Sequence, residues 1–310
     1  MHVGIVTVTE SESHIKIAKN LVRVMNAKMC KSYFCDVDVL ISVDSVLSYL
    51  PYHAVAKLRG TISAAFMYDI RSISHTYLTA RDAGRRPFEQ RLRRSLSLNL
   101  IRPFLDIVLS PTNAIATTIR EYTGIKPCVV YLGVDHKIYK PMKVTKQRNY
   151  KTILTVATKP HIVKGAIAVF RKLRTKAKLL VRGPCPIRTE NIVCIPKVPE
   201  EDLPRLYASV DILFYPSLHE GFGLVPLEAA ACGTPIVAFE EPALMEVLGD
   251  TALFIRPKSL DEVAEMVDWV LNDEGLLNEL SIKGINRARE FTWERTAKML
   301  YTCIEGFAQL

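Results

Sequence analysis

Short apolar, β-branched runs alternate with helix-length segments along most of this chain, and that alternation constrains the fold more than any other feature. In the first half, residues 4–8, 37–43, 62–67, 107–110 and 128–131 read as strands. Residues 13–29 follow the first strand, and Ile17, Leu21, Val24 and Met25 form one helical stripe there. Residues 137–151 are polar and basic, include Pro141, show little periodicity and read as a linker. The pattern then resumes, with strands at 153–157, 179–181, 192–195, 212–215, 236–239 and 253–255. Helices are expected at 165–172, 201–209, 224–232, 260–272 and 293–307. A parallel neighbour is reached only by a long crossover, so strands alternating with helices imply a parallel sheet covered on both faces.

The expected class is therefore α/β, with two Rossmann-like doubly wound domains facing across a cleft. A chain of 310 residues is long enough for two domains. The boundaries expected are 1–140 for an N-terminal domain and 141–290 for a second one. Residues 291–310 are expected as a C-terminal helix. A local echo supports two similar halves: Asp106-Ile-Val-Leu-Ser-Pro111 resembles Asp211-Ile-Leu-Phe-Tyr-Pro216. In doubly wound sheets ligands bind beyond the carboxyl ends of the strands, so chemistry is sought just after strands.

Composition excludes several classes. Hydrophobic residues make up 49% and charged residues 24%, which rules out a disordered, collagen-like or coiled-coil protein. No uncharged apolar run is long enough to span a membrane, and Met1-His2-Val3-Gly4 does not open a signal peptide. The seven cysteines form no C-x-x-C pair and read as buried thiols. Together these features point to the cytoplasm, peripheral to a membrane at most.

The richest stretch runs from Tyr215 to Gly233, from a strand end into a helix. Pro226 falls in the first helical turn, where a missing N–H costs least, and Gly233 stands where a helix would be capped. Gly221 and Gly223 let backbone approach a ligand closely, and a helix N-terminus favours an anion such as phosphate. Glu220 and Glu228 flank that position. Carboxylates only accept hydrogen bonds, so they suit the hydroxyls of a ribose or hexose and not the phosphate itself. A strand–turn–helix with two solvated glutamates is the plainer alternative. A second constellation, Thr158-Lys159-Pro-His-Ile-Val-Lys164-Gly165, again follows a strand, and its two lysines can reach one pyrophosphate.

These residues resemble the GT-B glycosyltransferases, specifically the large retaining family 4. The resemblance rests on Pro216, Ser217, Glu220, Gly221, Phe222, Gly223, Leu224, Glu228 and Ala229, which complete the family's Glu-x7-Glu stretch. It implies that Glu220 holds donor-sugar hydroxyls, that Glu228 holds the ribose, and that the amides of Gly223 and Leu224 meet the diphosphate. Thr158, Lys159, Lys164 and Gly165 match the family's Gly-Arg-x4-Lys-Gly element, with Lys159 where arginine is usual. Arg182-Gly183-Pro184 resembles its Gly-x-Gly-Pro turn, and residues 195–198, with Lys197 and Val198, its base-pocket segment. Glu246 and Phe291-Thr-Trp293-Glu294 match later landmarks, and in such proteins the last helix returns to the first domain. The first half matches less closely. The usual glycine-rich loop after the first strand reads Thr9-Glu10-Ser11-Glu12-Ser13-His14, and the family's His-Asp reads Tyr68-Asp69. Asp69 is carried over as an acceptor contact.

The activity implied is transfer of a hexose from a UDP-, GDP- or ADP-sugar to a hydroxyl on a glycan or lipid-linked acceptor, with retention and without metal or other cofactor. The alternatives are a non-catalytic nucleotide- or polyanion-binding protein of the same fold and a nucleotide-sugar epimerase. Asp36-Val-Asp38 looks like a metal motif, but it reads as a strand entry because no second ligand cluster follows. Residues 1–140 carry 19 Lys and Arg against 11 Asp and Glu. Seven of those arginines lie between Arg81 and Arg102, where Leu92, Leu96, Ile101 and Leu105 suggest an amphipathic helix. That segment reads as a solvated basic face or as a surface for an anionic membrane, and nucleic acid is not an expected partner. The histidines at 53, 75, 136, 161 and 219 read as structural, with His219 singled out because it adjoins Glu220.

Overall fold

The computed structural model describes residues 1–8, 11–44, 47–68, 100–146, 149–156, 160–256 and 259–309. They fall into two compact units, Met1–Gly133 with Trp293–Leu310, and Val134–Thr292.

The first unit holds six parallel strands: β1 (Val3–Val6), β2 (Lys28–Met29), β3 (Val39–Ser42), β4 (Ile62–Phe66), β5 (Ile107–Ser110) and β6 (Cys128–Val129). Their order in the sheet is β2-β1-β3-β4-β5-β6. β1, β3 and β5 are buried at every position, as expected of strands covered on both faces. The helices following strands are α1 (Glu12–Met25), α2 (Leu50–Leu58) and α3 (Asn113–Thr123). The single helix expected over 13–29 is cut short. Asn26 takes the left-handed conformation at φ 49°, which ends α1, and Lys28–Met29 then pairs with β1.

Beneath this sheet a buried histidine is held by two serines. Ser42 Oγ donates to the Asp44 carbonyl at 2.6 Å, so it accepts from His53 Nε2 at 3.0 Å, and Ser63 Oγ donates to Nδ1 at 2.5 Å. The neutral ring with its proton on Nε2 satisfies this network. Burial pushes the imidazole down to about 4, against a weaker upward pull from Asp106. A base with a lowered folded-state pKa contributes stability that is intact above its unfolded value of 6.5 and is lost as pH falls toward 4. The loss expected over that window is about 3 kcal/mol. Denaturant unfolding of wild type and His53→Gln at pH 7.5 and 4.5 measures it. The wild type should lose the larger share, and equal losses would reject the assignment.

The second unit repeats the design with β7 (Lys151–Val156), β8 (Ala177–Arg182), β9 (Ile192–Ile195), β10 (Ile212–Tyr215), β11 (Ile236–Phe239) and β12 (Ala252–Ile255). All are parallel, in the order β12-β11-β10-β7-β8-β9. Its helices are α4 (Pro160–Phe170), α5 (Leu203–Ser209), α6 (Leu224–Ala231), α7 (Pro242–Leu248), α8 (Leu260–Asn272) and α9 (Glu274–Ala288). α8 begins with a reciprocal cap between Ser259 and Glu262, and its apolar stripe of Val263, Ala264, Val267, Val270 and Leu271 packs against the core around Ile167, Leu179 and Ile212. α4 starts five residues before the sequence suggested, because Pro160 is well suited to a first helical position. Tyr139 is buried and donates to Glu200 at 3.3 Å, so the stretch read as a linker is partly docked onto the second unit. The chain returns to the first unit as α10 (Trp293–Ala308).

The sequence echo has a structural basis. Asp106, just before β5, accepts the Ser63 N–H at 2.9 Å, and Asp211, just before β10, accepts the Thr152 N–H at 2.7 Å. Each carboxylate thus ties the start of its strand to the second residue of the neighbouring one.

The cysteine reading is corrected. Six of the seven are paired, as Cys30–Cys35, Cys128–Cys303 and Cys185–Cys194, and only Cys232 is a buried thiol. Sequence separations of 5, 175 and 9 residues carry no spacing signal, and the fold alone brings each pair together. Asp36 and Asp38 precede β3 instead of lying within it. Asp38 sits beside the terminal amine and accepts the His2 N–H, and Asp36 pairs with Arg59. No metal-holding cluster occurs among the described residues.

Candidate functional site

In the second sheet β7, β8 and β9 run outward one way, and β10, β11 and β12 the other. β7 and β10 lie side by side, with Ile153 opposite Ile212, so the crevice beyond their carboxyl ends is the topological switch point where such sheets bind ligands. Both constellations singled out in the sequence follow these two strands.

After β10 the chain turns through residues 216–223 and enters α6 at Leu224. Gly223 caps the helix at φ 91°, and a β-carbon there would collide with the Leu244 side chain. Only glycine satisfies both constraints. Phe222 is buried edge-to-face on Phe291, 5.8 Å between centroids, and the Arg287 guanidinium lies 5.0 Å from the Phe291 ring. This apolar anchor holds the turn from below. Gly233, at φ 81°, terminates the same helix.

The two glutamates are gripped differently. Glu220 is half-buried, and its Oε1 accepts from Tyr215 Oη at 2.9 Å and Ser217 Oγ at 2.7 Å. Glu228, inside α6, is only 4% exposed, and its Oε2 accepts from Tyr207 Oη at 3.4 Å. Burial first, and then the adjacent Glu220 or Glu228, pushes the Tyr215 and Tyr207 hydroxyls well above their usual range. Both remain protonated and serve as donors. Thr234 Oγ1 fixes the Tyr207 carbonyl at 2.8 Å, and the Tyr139 and Tyr207 rings lie 6.3 Å apart. Burial and Glu228 push the Cys232 thiol up to about 12, so it is not a nucleophile near neutral pH.

Of the other sequence candidates, Lys164 lies exposed in α4, and Gly183 follows β8 at φ 143°. Lys197 is exposed and Val198 half-buried in the loop after β9. Gly221 is half-buried beside Glu220. Lys159, Asp69 and positions 81–99 of the arginine-rich segment lie outside the described residues. The sequence reading missed Tyr207, Tyr215 and Ser217 as partners of the glutamates. The only hint was the Tyr-Pro-Ser run just before Glu220.

The profile of the family described as glycosyl transferases group 1 matches residues 188–289, which include the whole Glu220–Glu228 stretch. O-antigen chain mannosyltransferase B of Escherichia coli is 40% identical over 97 residues, 31% of this chain and 26% of that protein. MMP alpha-(1->4)-mannosyltransferase of Mycolicibacterium hassiacum is 32% identical over 218 residues, 61% of this chain and 51% of that protein. The chain thus spans about half or less of the length of these curated relatives. Among solved structures, HepE of Anabaena in complex with UDP-glucose aligns over 100% of both chains, with TM-score 0.74 and 14% identity. Sucrose-phosphate synthase of Thermosynechococcus elongatus aligns over 98% of this chain and 81% of its own, with TM-score 0.72 and 17% identity. The fold is GT-B.

Proposed function

We propose that this chain is a hexosyltransferase. It takes its sugar from a nucleoside-diphosphate donor and places it on a hydroxyl with retention of anomeric configuration, without a metal. The observation that carries the reading is the pair of fixed carboxylates, Glu220 and Glu228, on either side of the glycine-capped start of α6. Acceptor oxygens suit sugar and ribose hydroxyls, and the helix amides suit the diphosphate between them. The C1–O bond to phosphate breaks, the acceptor oxygen bonds C1, and its proton passes to the departing phosphate. The α6 amides, with Lys164 and Lys159, offset the charge gathering on the leaving group. The residues carried over for donor binding are Lys159, Lys164, Gly183, Lys197, Val198, Gly221, Phe222, Gly223, Leu224 and Glu228, with Glu220 at the reacting sugar and Asp69 at the acceptor.

The fold and family match support the reading, as do mannosyltransferase relatives and a HepE structure bound to UDP-glucose. The acceptor proposed is a glycan or lipid-linked glycan. The location proposed is cytoplasmic, at an anionic membrane face met through the segment from Arg81 to Arg102. Among the described residues no helix is long and apolar enough to cross a membrane. Three disulfides in that compartment are a mark of intracellular proteins of hyperthermophiles more than of mesophiles.

A screen of nucleotide-sugars for acceptor-free hydrolysis tests the proposal, and one donor should be cleaved slowly. Nucleoside diphosphate binding without any cleavage or transfer would return the non-catalytic binder. Lys164→Ala should weaken nucleoside diphosphate affinity about tenfold, roughly 1.4 kcal/mol, as for loss of one charge-assisted contact. An unchanged dissociation constant by calorimetry would remove Lys164 from the site.

A further inference from the structure

The second unit carries an open groove at the end of its sheet opposite the switch point. The groove measures about 560 Å³ and is lined by Arg174 and Thr175, which lead into β8, and by Glu265, Asp268, Trp269 and Asn272 of α8. The four α8 residues recur at i, i+3, i+4 and i+7, so they share one face of the helix, and none belongs to its buried stripe. β8 spans six residues at about 3.3 Å each, so the groove stands about 20 Å along the strands from the crevice at their carboxyl ends.

The walls are fixed by the protein's own bonds. Asp268 accepts the Arg174 N–H at 2.8 Å on Oδ2 and the Thr175 N–H at 3.0 Å on Oδ1, so one carboxylate clamps the turn before β8. Asn272 Nδ2 donates to Thr175 Oγ1 at 2.8 Å and to the Asp268 carbonyl at 2.7 Å. Arg174 pairs with Glu265 at 3.8 Å. Trp269 stands beside this framework 50% exposed, a large apolar ring left half in water on a helix whose other face is core.

We infer that this groove binds a neutral glycan, a stretch of carbohydrate chain held away from the Glu220–Glu228 site. Its use in retaining a long acceptor between transfers rests on the transferase reading, and the binding itself does not. Its volume falls in the range of about 300–1,000 Å³ typical of small-molecule sites, which combine an aromatic wall with a few placed polar groups. The face of a pyranose ring carries C–H groups of slight positive charge, and the face of an indole is negative, so the two stack. Beside that platform, the Thr175 hydroxyl and the indole N–H have protons to donate and Asn272 Oδ1 has lone pairs to accept with, none of them engaged among the described residues. Sugar hydroxyls, which both donate and accept, suit that mixed set. A phosphate does not. The one cation of the lining, Arg174, is already paired with Glu265, and the Asp268 charge is met only by neutral amides. A chain held both here and at the transfer site gains effective concentration without any new contact at the reacting sugar.

The chain has two tryptophans, and Trp293 is buried, so ¹⁹F NMR of 5-fluorotryptophan-labelled protein reads the groove directly. Trp269→Phe assigns the two resonances. Titration with maltohexaose or with an α-linked mannotetraose should move the Trp269 resonance and leave Trp293 in place. Glu220→Ala should respond like wild type, and UDP should leave the Trp269 resonance unmoved. The saturation-transfer signal of the oligosaccharide should fall about fivefold in Trp269→Ala, the scale of losing one aromatic stacking platform, and recover in part in Trp269→Phe. A Trp269 resonance unmoved by both oligosaccharides, one moved by UDP, a response lost in Glu220→Ala, or a resonance that moves only with protein concentration, as for a second copy of this chain, would each overturn the inference. The ¹⁹F titration uses the intact wild type, so it decides the question even if Trp269→Ala fails to fold. Nucleotide-sugar cleavage is measured separately, so failure of the transferase reading is distinguished from failure of this one.

Discussion

Glu220→Ala is expected to lower kcat for transfer by about 10²–10³, the scale of losing one preorganised transition-state contact of about 2.7–4 kcal/mol. The size follows from how the carboxylate is held. Tyr215 and Ser217 both donate to Oε1, so Glu220 cannot relax away from its place without leaving the buried Tyr215 hydroxyl unpaired, whereas Ser217 Oγ also reaches the His219 carbonyl at 3.2 Å. A carboxylate fixed before the substrate arrives costs no reorganisation when charge develops on the sugar. The same geometry predicts a stability effect. Alanine strands the Tyr215 hydroxyl, while Ser217 keeps the His219 carbonyl, and should cost about 1–3 kcal/mol, visible as a lower unfolding midpoint. Glu220→Gln keeps an oxygen for them, so it should keep most of the stability and still lose most of the rate. Measuring kcat and unfolding for both variants separates the two roles. Turnover near the wild-type level in Glu220→Ala would end the catalytic assignment.

The parts of this molecule legible in sequence are those governed by local pattern. Residues 107–110, 192–195, 212–215 and 236–239 form strands with the limits read from composition, and so does the helix Leu260–Asn272. In each, β-branching or a 3.6-residue stripe coincides with burial. β2 was missed because its two residues carry no pattern. Its existence depends on Asn26 turning left-handed and on β1 offering a free edge. α2, with Pro51 near its start, and α9, with a weak apolar stripe, were missed for the related reason that tertiary packing selects them. At the site the motif fixed the glutamates, but Tyr207 reaches Glu228 across 21 residues, which no spacing rule reports.

Removing the Cys128–Cys303 disulfide, by alanine at both positions, should produce the largest stability loss of the three. The bond joins β6 to α10 within the first unit, and the chain between them includes the entire second unit. If that intervening chain is unfolded when the first unit unfolds, the closed loop exceeds 100 residues and chain entropy sets the loss at about 5 kcal/mol. If the second unit stays folded, the loop is far shorter. Val134 and Thr292, where the chain enters and leaves that unit, are paired in one parallel bridge, and Val134 N–H also donates to the Phe291 carbonyl. The effective loop is then little more than the segments 128–134 and 292–303, and the loss falls to about 3 kcal/mol. Either value is a large fraction of the about 5–15 kcal/mol that holds a domain folded. Cys30–Cys35 closes a loop of only 5 residues' separation and should count for less under both conditions. Denaturant titration of wild type and the two double-alanine variants, followed by a probe in each unit, gives the order of unfolding directly. A first-unit loss near 5 kcal/mol with coincident transitions indicates cooperative unfolding of both units. A loss near 3 kcal/mol, with the second unit melting later, indicates that it survives alone. A Cys128/Cys303 variant no less stable than the Cys30/Cys35 variant would contradict the entropic argument altogether.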